Sequence, residues 1–127
     1  MTMDGEVAQA YAGALEAIAR VDGEVNPEES AHLRALVGKR TTAAIDYESL
    51  FFEKTTPDKL AAKVPKADAR AIGRLLVADA VELAIADGDL NGAEAQAIIR
   101  YARALGCTAE DVAAATNQLG EWVHGLG

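Results

Sequence analysis

The eight residues Asp22-Gly23-Glu24-Val25-Asn26-Pro27-Glu28-Glu29 return 65 positions later as Asp87-Gly88-Asp89-Leu90-Asn91-Gly92-Ala93-Glu94, with the shared pattern Asp-Gly-x-aliphatic-Asn-x-x-Glu. The match extends outward through Ile18 and Leu83, Ala19 and Ala84, and Leu33 and Ile98, so each half reads as a helix, an acidic turn and a second helix. Duplication is the natural explanation. Two copies are too few for an open repeat array, so the halves, about residues 4–64 and 67–127 of a single domain spanning 1–127, must bury each other's apolar faces. That predicts a closed helical bundle with approximate two-fold symmetry.

Composition narrows the packing. There are 28 alanines against two Phe, three Tyr and one Trp, so the core is built from small side chains with Leu, Ile and Val among them, which suits closely approaching helices. No segment alternates in the manner of a strand. The expected fold is an all-α compact bundle of six or seven helices.

The periodicity assigns them in order. Val7, Tyr11, Leu15, Ile18 and Val21 line one face of a helix over Gly5 to Val21, stopped by Asp22-Gly23. Asn26-Pro27 starts a second, to about Val37, by supplying an N-cap and Pro at the first helical position. A third, capped by Thr41 or Thr42, is expected to carry Ile45, Leu50 and Phe51, and Thr56-Pro57 to begin a fourth ending near Val64. From Asp68 to Ala86 the chain is apolar over more than half the helical circumference, as befits a central helix. Asn91 caps the next, through Leu105-Gly106, and Thr108 with Asp111 opens a last helix to about Val123.

Most of the repeated motif has a structural reading. Asn followed three residues later by Glu is a capping box, Gly stops the preceding helix, and Val25 or Leu90 plugs the turn into the core. Asp22 and Asp87 are not explained in this way, because each ends a helix at the negative pole of its dipole, where a carboxylate costs about 0.3–1 kcal/mol. Either the free N–H groups of the following helix compensate, or a cation does, held by Asp with help from Glu29 or Glu94. The spacing also mimics the second half of an EF-hand. The first half of such a loop fails, since Ile18 and Arg20, or Leu83 and Ile85, stand where oxygen ligands are needed.

Two copies of Ala-x-x-Asp-Gly-x-aliphatic-x-x-x-Glu, Ala19 to Glu29 and Ala84 to Glu94, in an acidic helical chain of this length resemble the tellurite-resistance TerB family and its TerB-like relatives. The resemblance covers nearly the whole chain. It implies an internally duplicated all-helical fold, an acidic surface that binds a divalent metal ion (Ca, Mg, Mn or Zn), and a place in a stress-response complex with protein partners near the membrane. Carried over residue by residue, Asp22, Glu29, Asp87 and Glu94 take the acidic positions, with Glu24 and Asp89 beside them. Residues 41–65 match nothing in the family pattern. The competing reading is a protein-interaction adaptor whose acidic turns are purely structural.

Charge excludes other classes. Twelve Lys and Arg against 20 Asp and Glu give a net charge of -8 without a basic cluster, so nucleic acid is not an expected partner. No apolar run approaches the length that spans a bilayer, the N-terminus is acidic where a signal peptide is basic, and the single Cys107 suits a reducing compartment. A cytoplasmic protein, peripheral at most to a membrane, is expected. With two His and one Cys and no phosphate-loop, dinucleotide or catalytic-triad pattern, an enzyme is not.

Some single residues carry expectations of their own. His32, on one helical face with Glu28 and Glu29, could join them at a metal site, but an exposed His paired with Glu28 is the expected arrangement, and His124 is expected to face solvent. Asp79 and Glu82, on the most apolar helix, either mark its one solvated stripe or take partners, with Arg70 or Arg74 in reach or, for Asp79, the two acidic turns. Cys107 is expected to be buried and inert. Of Phe51 and Phe52, one is expected in the core and the other partly exposed.

Overall fold

The computed structural model describes residues 2–126 apart from Asp22, Glu24 and Asp87, and among these it contains six α-helices and no strand. They are α1 (Gly5–Ala19), α2 (Pro27–Arg40), α3 (Pro57–Lys63), α4 (Ala69–Ala86), α5 (Gly92–Ala104) and α6 (Ala109–Ala115). Five of the six begin at a side-chain cap: Asp4, Asn26, Thr56, Asn91 and Thr108 each accept a backbone N–H of the first turn. A shift of 65 residues lays α1 on α4 and α2 on α5, whereas α3 and α6 are displaced because residues 41–56 connect α2 to α3 and only residues 105–108 connect α5 to α6.

Helices α1 and α4 pack against each other and also touch α2 and α5; α1 further covers α3, and α4 covers α6. The most enclosed of them is α1 rather than α4, with 11 of its 15 residues buried against 9 of 18 in α4. Alanine is the reason. Ala8, Ala10, Ala12, Ala14 and Ala19 bury their faces without holding neighbours apart, and Tyr11, Leu15 and Ile18 fill the space between them. At Gly13 a Cβ would collide with the Thr55 hydroxyl and lie 3.2 Å from a Leu50 methyl, so the 41–56 segment lies directly on the α1 backbone.

Two helix expectations fail, the first for a long-range reason and the second for a local one. No α-helix follows Thr41: that residue is extended, its hydroxyl donates to Met3 O (2.8 Å) and it accepts from Ala43 N (3.0 Å). Further along, the Gln9 amide grips the backbone of Asp46 from both sides, Nε2 to Asp46 O at 3.0 Å and Asp46 N to Oε1 at 2.9 Å. Spent on α1, these groups cannot close helical turns, and only a short 3-10 turn over Ser49–Phe51 forms, with Leu50 buried. Helix α6 stops at Ala115 rather than Val123, because Thr116 turns extended and its hydroxyl accepts Gln118 N (3.1 Å) in place of a helical partner. Leu119 then returns to the core, followed by a 3-10 turn over Val123–Gly125. At the other end α2 runs three residues past Val37, its last residue Arg40 held from across the bundle.

Candidate functional site

The two motif turns carry the same capping geometry. Asn26 Oδ1 accepts Glu29 N at 2.8 Å and Glu29 Oε1 accepts Asn26 N at 3.3 Å; the bonds between Asn91 and Glu94 have the same lengths. In both boxes the Asn side supplies the strong bond and Glu the long one. Gly23 (φ 150°) and Gly88 (φ 138°) occupy the positive-φ region at the two helix stops, which only glycine enters without strain. Val25 and Leu90 pack against the core. Glu94 is buried and Glu29 half-buried, whereas Asp89 is exposed. Asp22, Glu24 and Asp87 lie outside the described residues, so of the six carboxylates expected at a cation site the structure places Glu29, Glu94 and Asp89. Among the described residues no three His, Cys, Asp or Glu side chains gather as a metal-ligand group.

A family model described as tellurite resistance protein TerB matches residues 8–117, which span both turns and all six helices except the first turn of α1. The chain belongs to the TerB family. Searches of curated proteins and of solved structures returned no match.

Three other expected pairings resolve differently in this TerB-family protein. Asp79 pairs with neither Arg70 nor Arg74; its carboxylate accepts the Tyr11 hydroxyl (2.5 Å) and a bidentate bond from Arg40 (2.9 and 2.7 Å). Burial, reinforced by the Asp79 charge, pushes the Tyr11 phenol well above its usual range, so it stays a donor. His32 turns from Glu28 to Glu82 of α4, 2.9 Å away. Arg70 and Arg74 converge instead on Asp111, at 2.9 Å and 2.7 Å. Cys107 is buried as expected, and burial raises its thiol above the usual range. Phe51 and Phe52 are both exposed, at 61% and 84%, because the residue between their turn and α1 that reaches the core is Leu50.

Asp111 gives this TerB-family chain a definite acid response. The Arg70 hydrogen bond, then the Thr108 backbone N–H, hold its carboxyl far below the usual carboxylate range. A depressed folded pKa contributes stability above the unfolded value of about 3.9, and that contribution is lost as pH falls toward the folded value. The melting-temperature gap between wild type and Asp111→Asn should therefore be constant from about pH 7 to 5 and narrow below about pH 4. A gap independent of pH would show that the carboxylate charge contributes nothing.

Sequence reasoning passed over a second group, Glu16, Arg20 and Arg34, which lines a small cleft with Tyr47 and Phe51. The repeat held the signal: at the 65-residue offset these three positions are Val81, Ile85 and Ile99. A groove of about 380 Å³ lies between α1, α3 and residues 49–55. Two of its three lysines are engaged, Lys63 with Glu6 at 2.8 Å and Lys59 with Lys54 O at 3.3 Å.

Proposed function

We propose that this TerB-family chain is a non-catalytic acidic module that binds a divalent cation at its paired turns and works in a stress-response assembly with protein partners. The observation behind this reading is the identical capped turn at both motif copies, which holds Glu29 and Glu94 in the same geometry at the starts of α2 and α5. Capping alone accepts Glu or Gln, while a hard cation needs the full carboxylate. A local stop-and-cap motif also does not call for Asp at the negative end of the preceding helix, where Asp22 and Asp87 stand in the sequence. Family membership favours the same reading. No described helix is long and apolar enough to cross a membrane.

Thermal unfolding with and without Ca²⁺, Mg²⁺, Mn²⁺ or Zn²⁺ tests it. An ion that binds only the folded state adds about 2.7 kcal/mol at a hundredfold excess over its Kd. The double substitution Glu29→Gln, Glu94→Gln should leave metal-free stability within about 0.5 kcal/mol of wild type, since Gln still caps, and should abolish the ion-dependent gain. If wild type gains nothing up to millimolar ion, or the Gln variant keeps all the gain, the glutamates are caps alone. The adaptor reading then stands first, favoured by the adjacent exposed rings of Phe51 and Phe52 on the long α2–α3 connection.

A further inference from the structure

The cleft between α1, α2 and the 41–56 segment is built around two guanidinium groups held on aromatic rings. Arg20 lies 4.2 Å from the centre of the Phe51 ring and Arg34 4.5 Å from that of Tyr47. Such stacking fixes a guanidinium plane and leaves its edge free to donate. Arg20 spends one edge on Glu16 at 3.0 Å, while its Nε is buried with no acceptor. Arg34 makes no hydrogen bond or ion pair among the described residues, though its charge acts on the Glu16 carboxylate of the same cleft, in contrast to Arg40, Arg70 and Arg74, each of which is paired directly with a buried aspartate.

The fold does not require these charges. At the matching places 65 residues on, Val81 and Ile99, the counterparts of Glu16 and Arg34, are buried apolar side chains, and Ile85, the counterpart of Arg20, is apolar and 43% exposed. A buried donor without an acceptor is costly, and a second, preoriented guanidinium beside it makes an arrangement suited to a planar anion. The cleft itself, about 40 Å³, has room for a carboxylate group and not for a whole metabolite, so its ligand must continue outward. Phe51 lines the cleft with 61% of its surface exposed, and Phe52, the next residue in the chain, is 84% exposed. The net charge of -8 disfavours a multiply charged ligand and leaves a single carboxylate as the better match.

We propose that this cleft docks a peptide segment of a partner protein presenting one carboxylate beside an apolar side chain, the carboxylate received by Arg34 and Arg20 and the apolar side chain laid across Phe51 and Phe52. The inference rests on the protein-partner element of the proposed function and is independent of its cation element.

Selection from a random linear peptide library on the full chain, followed by calorimetric titration of the enriched peptides, tests it. Enriched peptides should carry Asp or Glu next to Leu, Ile, Met or Phe. Affinity should fall about ten- to hundredfold when the peptide carboxylate is replaced by its amide, and equally in Arg34→Gln. Phe52→Ala should weaken binding severalfold, Arg34→Lys should recover part of the loss, and Lys39→Gln, a charge change elsewhere on α2, should have no effect. Both Arg34 and Phe52 are exposed, and circular dichroism of each variant confirms the fold. Failure to enrich such peptides, or binding indifferent to Arg34→Gln, overturns the proposal. So does a preference for phosphopeptides or for anionic vesicles over the carboxylate peptides. Concentration-dependent dimerisation of wild type abolished by Phe52→Ala would assign the surface to a second copy of this chain and also overturn it. Peptide affinity should be the same in the Glu29→Gln, Glu94→Gln variant, which separates failure of this site from failure of the cation site.

Discussion

Arg40→Met should be among the most damaging single substitutions in the protein, lowering stability by about 3–5 kcal/mol, or about 10–20 °C in melting temperature. Arg40 is the last residue of α2, and through Asp79 it joins α2 to the middle of α4 and, by way of Tyr11, to α1. Without it a carboxylate only 4% exposed keeps a single neutral donor, and a buried charge lacking its counter-ion is more costly than the pair was favourable. The reverse change, Asp79→Leu, strands an arginine that is 24% exposed and can turn to water. It should therefore cost less, about 1–3 kcal/mol. Chemical denaturation of the two variants checks the order. Equal losses, or a larger loss for Asp79→Leu, would mean that packing rather than charge burial dominates at this junction.

Leu60→Ala should cost about 2–5 kcal/mol. Helix α3 is seven residues long, too short to persist by itself, and Leu60 is its buried residue, with no exposed surface. Through it α3 holds to α1 and α5, and the preceding Thr55 carbonyl accepts the Tyr101 hydroxyl of α5. Truncation should thus act locally as well as globally. Hydrogen exchange is expected to show α3 and residues 49–56 opening before α1 and α4. Uniform loss of protection across the bundle, or a stability change below about 1 kcal/mol, would show that α3 is held by something other than this side chain.

How far the sequence could be read depended on the reach of the interactions involved. The two capping boxes, Asn26 with Glu29 and Asn91 with Glu94, connect residues three apart, and their residue types specify the bonds that form. The same holds for the starts of α3 and α6 at Thr56 and Thr108. The missing helix after Thr41 is the contrary case. Ile45, Leu50 and Phe51 are compatible with helical spacing, but Thr41 bonds to Met3 and Asp46 to Gln9, nearly forty residues away. For Phe51 and Phe52, hydrophobicity argued for burial of one, and only the seating of Leu50 against α1 left both outside. The proposed cation site is legible only as a sequence pattern, since Glu29, Glu94 and Asp89 are placed by the structure while Asp22, Glu24 and Asp87 are not among the described residues.

Sequence alone determined the all-helical class, the 65-residue repeat and the helix caps, because each follows from backbone propensity or from contacts within one turn, and it left Asp79 with the choice of solvent or a partner. Tertiary structure decided that the partner is Arg40 with Tyr11, that Asp111 collects Arg70 and Arg74, and that α1 rather than α4 is the most enclosed helix. It also decided that Arg20 and Arg34 line one cleft, each on a ring support. Several cations and several carboxylates compete for every such pairing. Local spacing cannot rank them, because the outcome depends on which helix faces meet when the alanine surfaces close and water is expelled from between them.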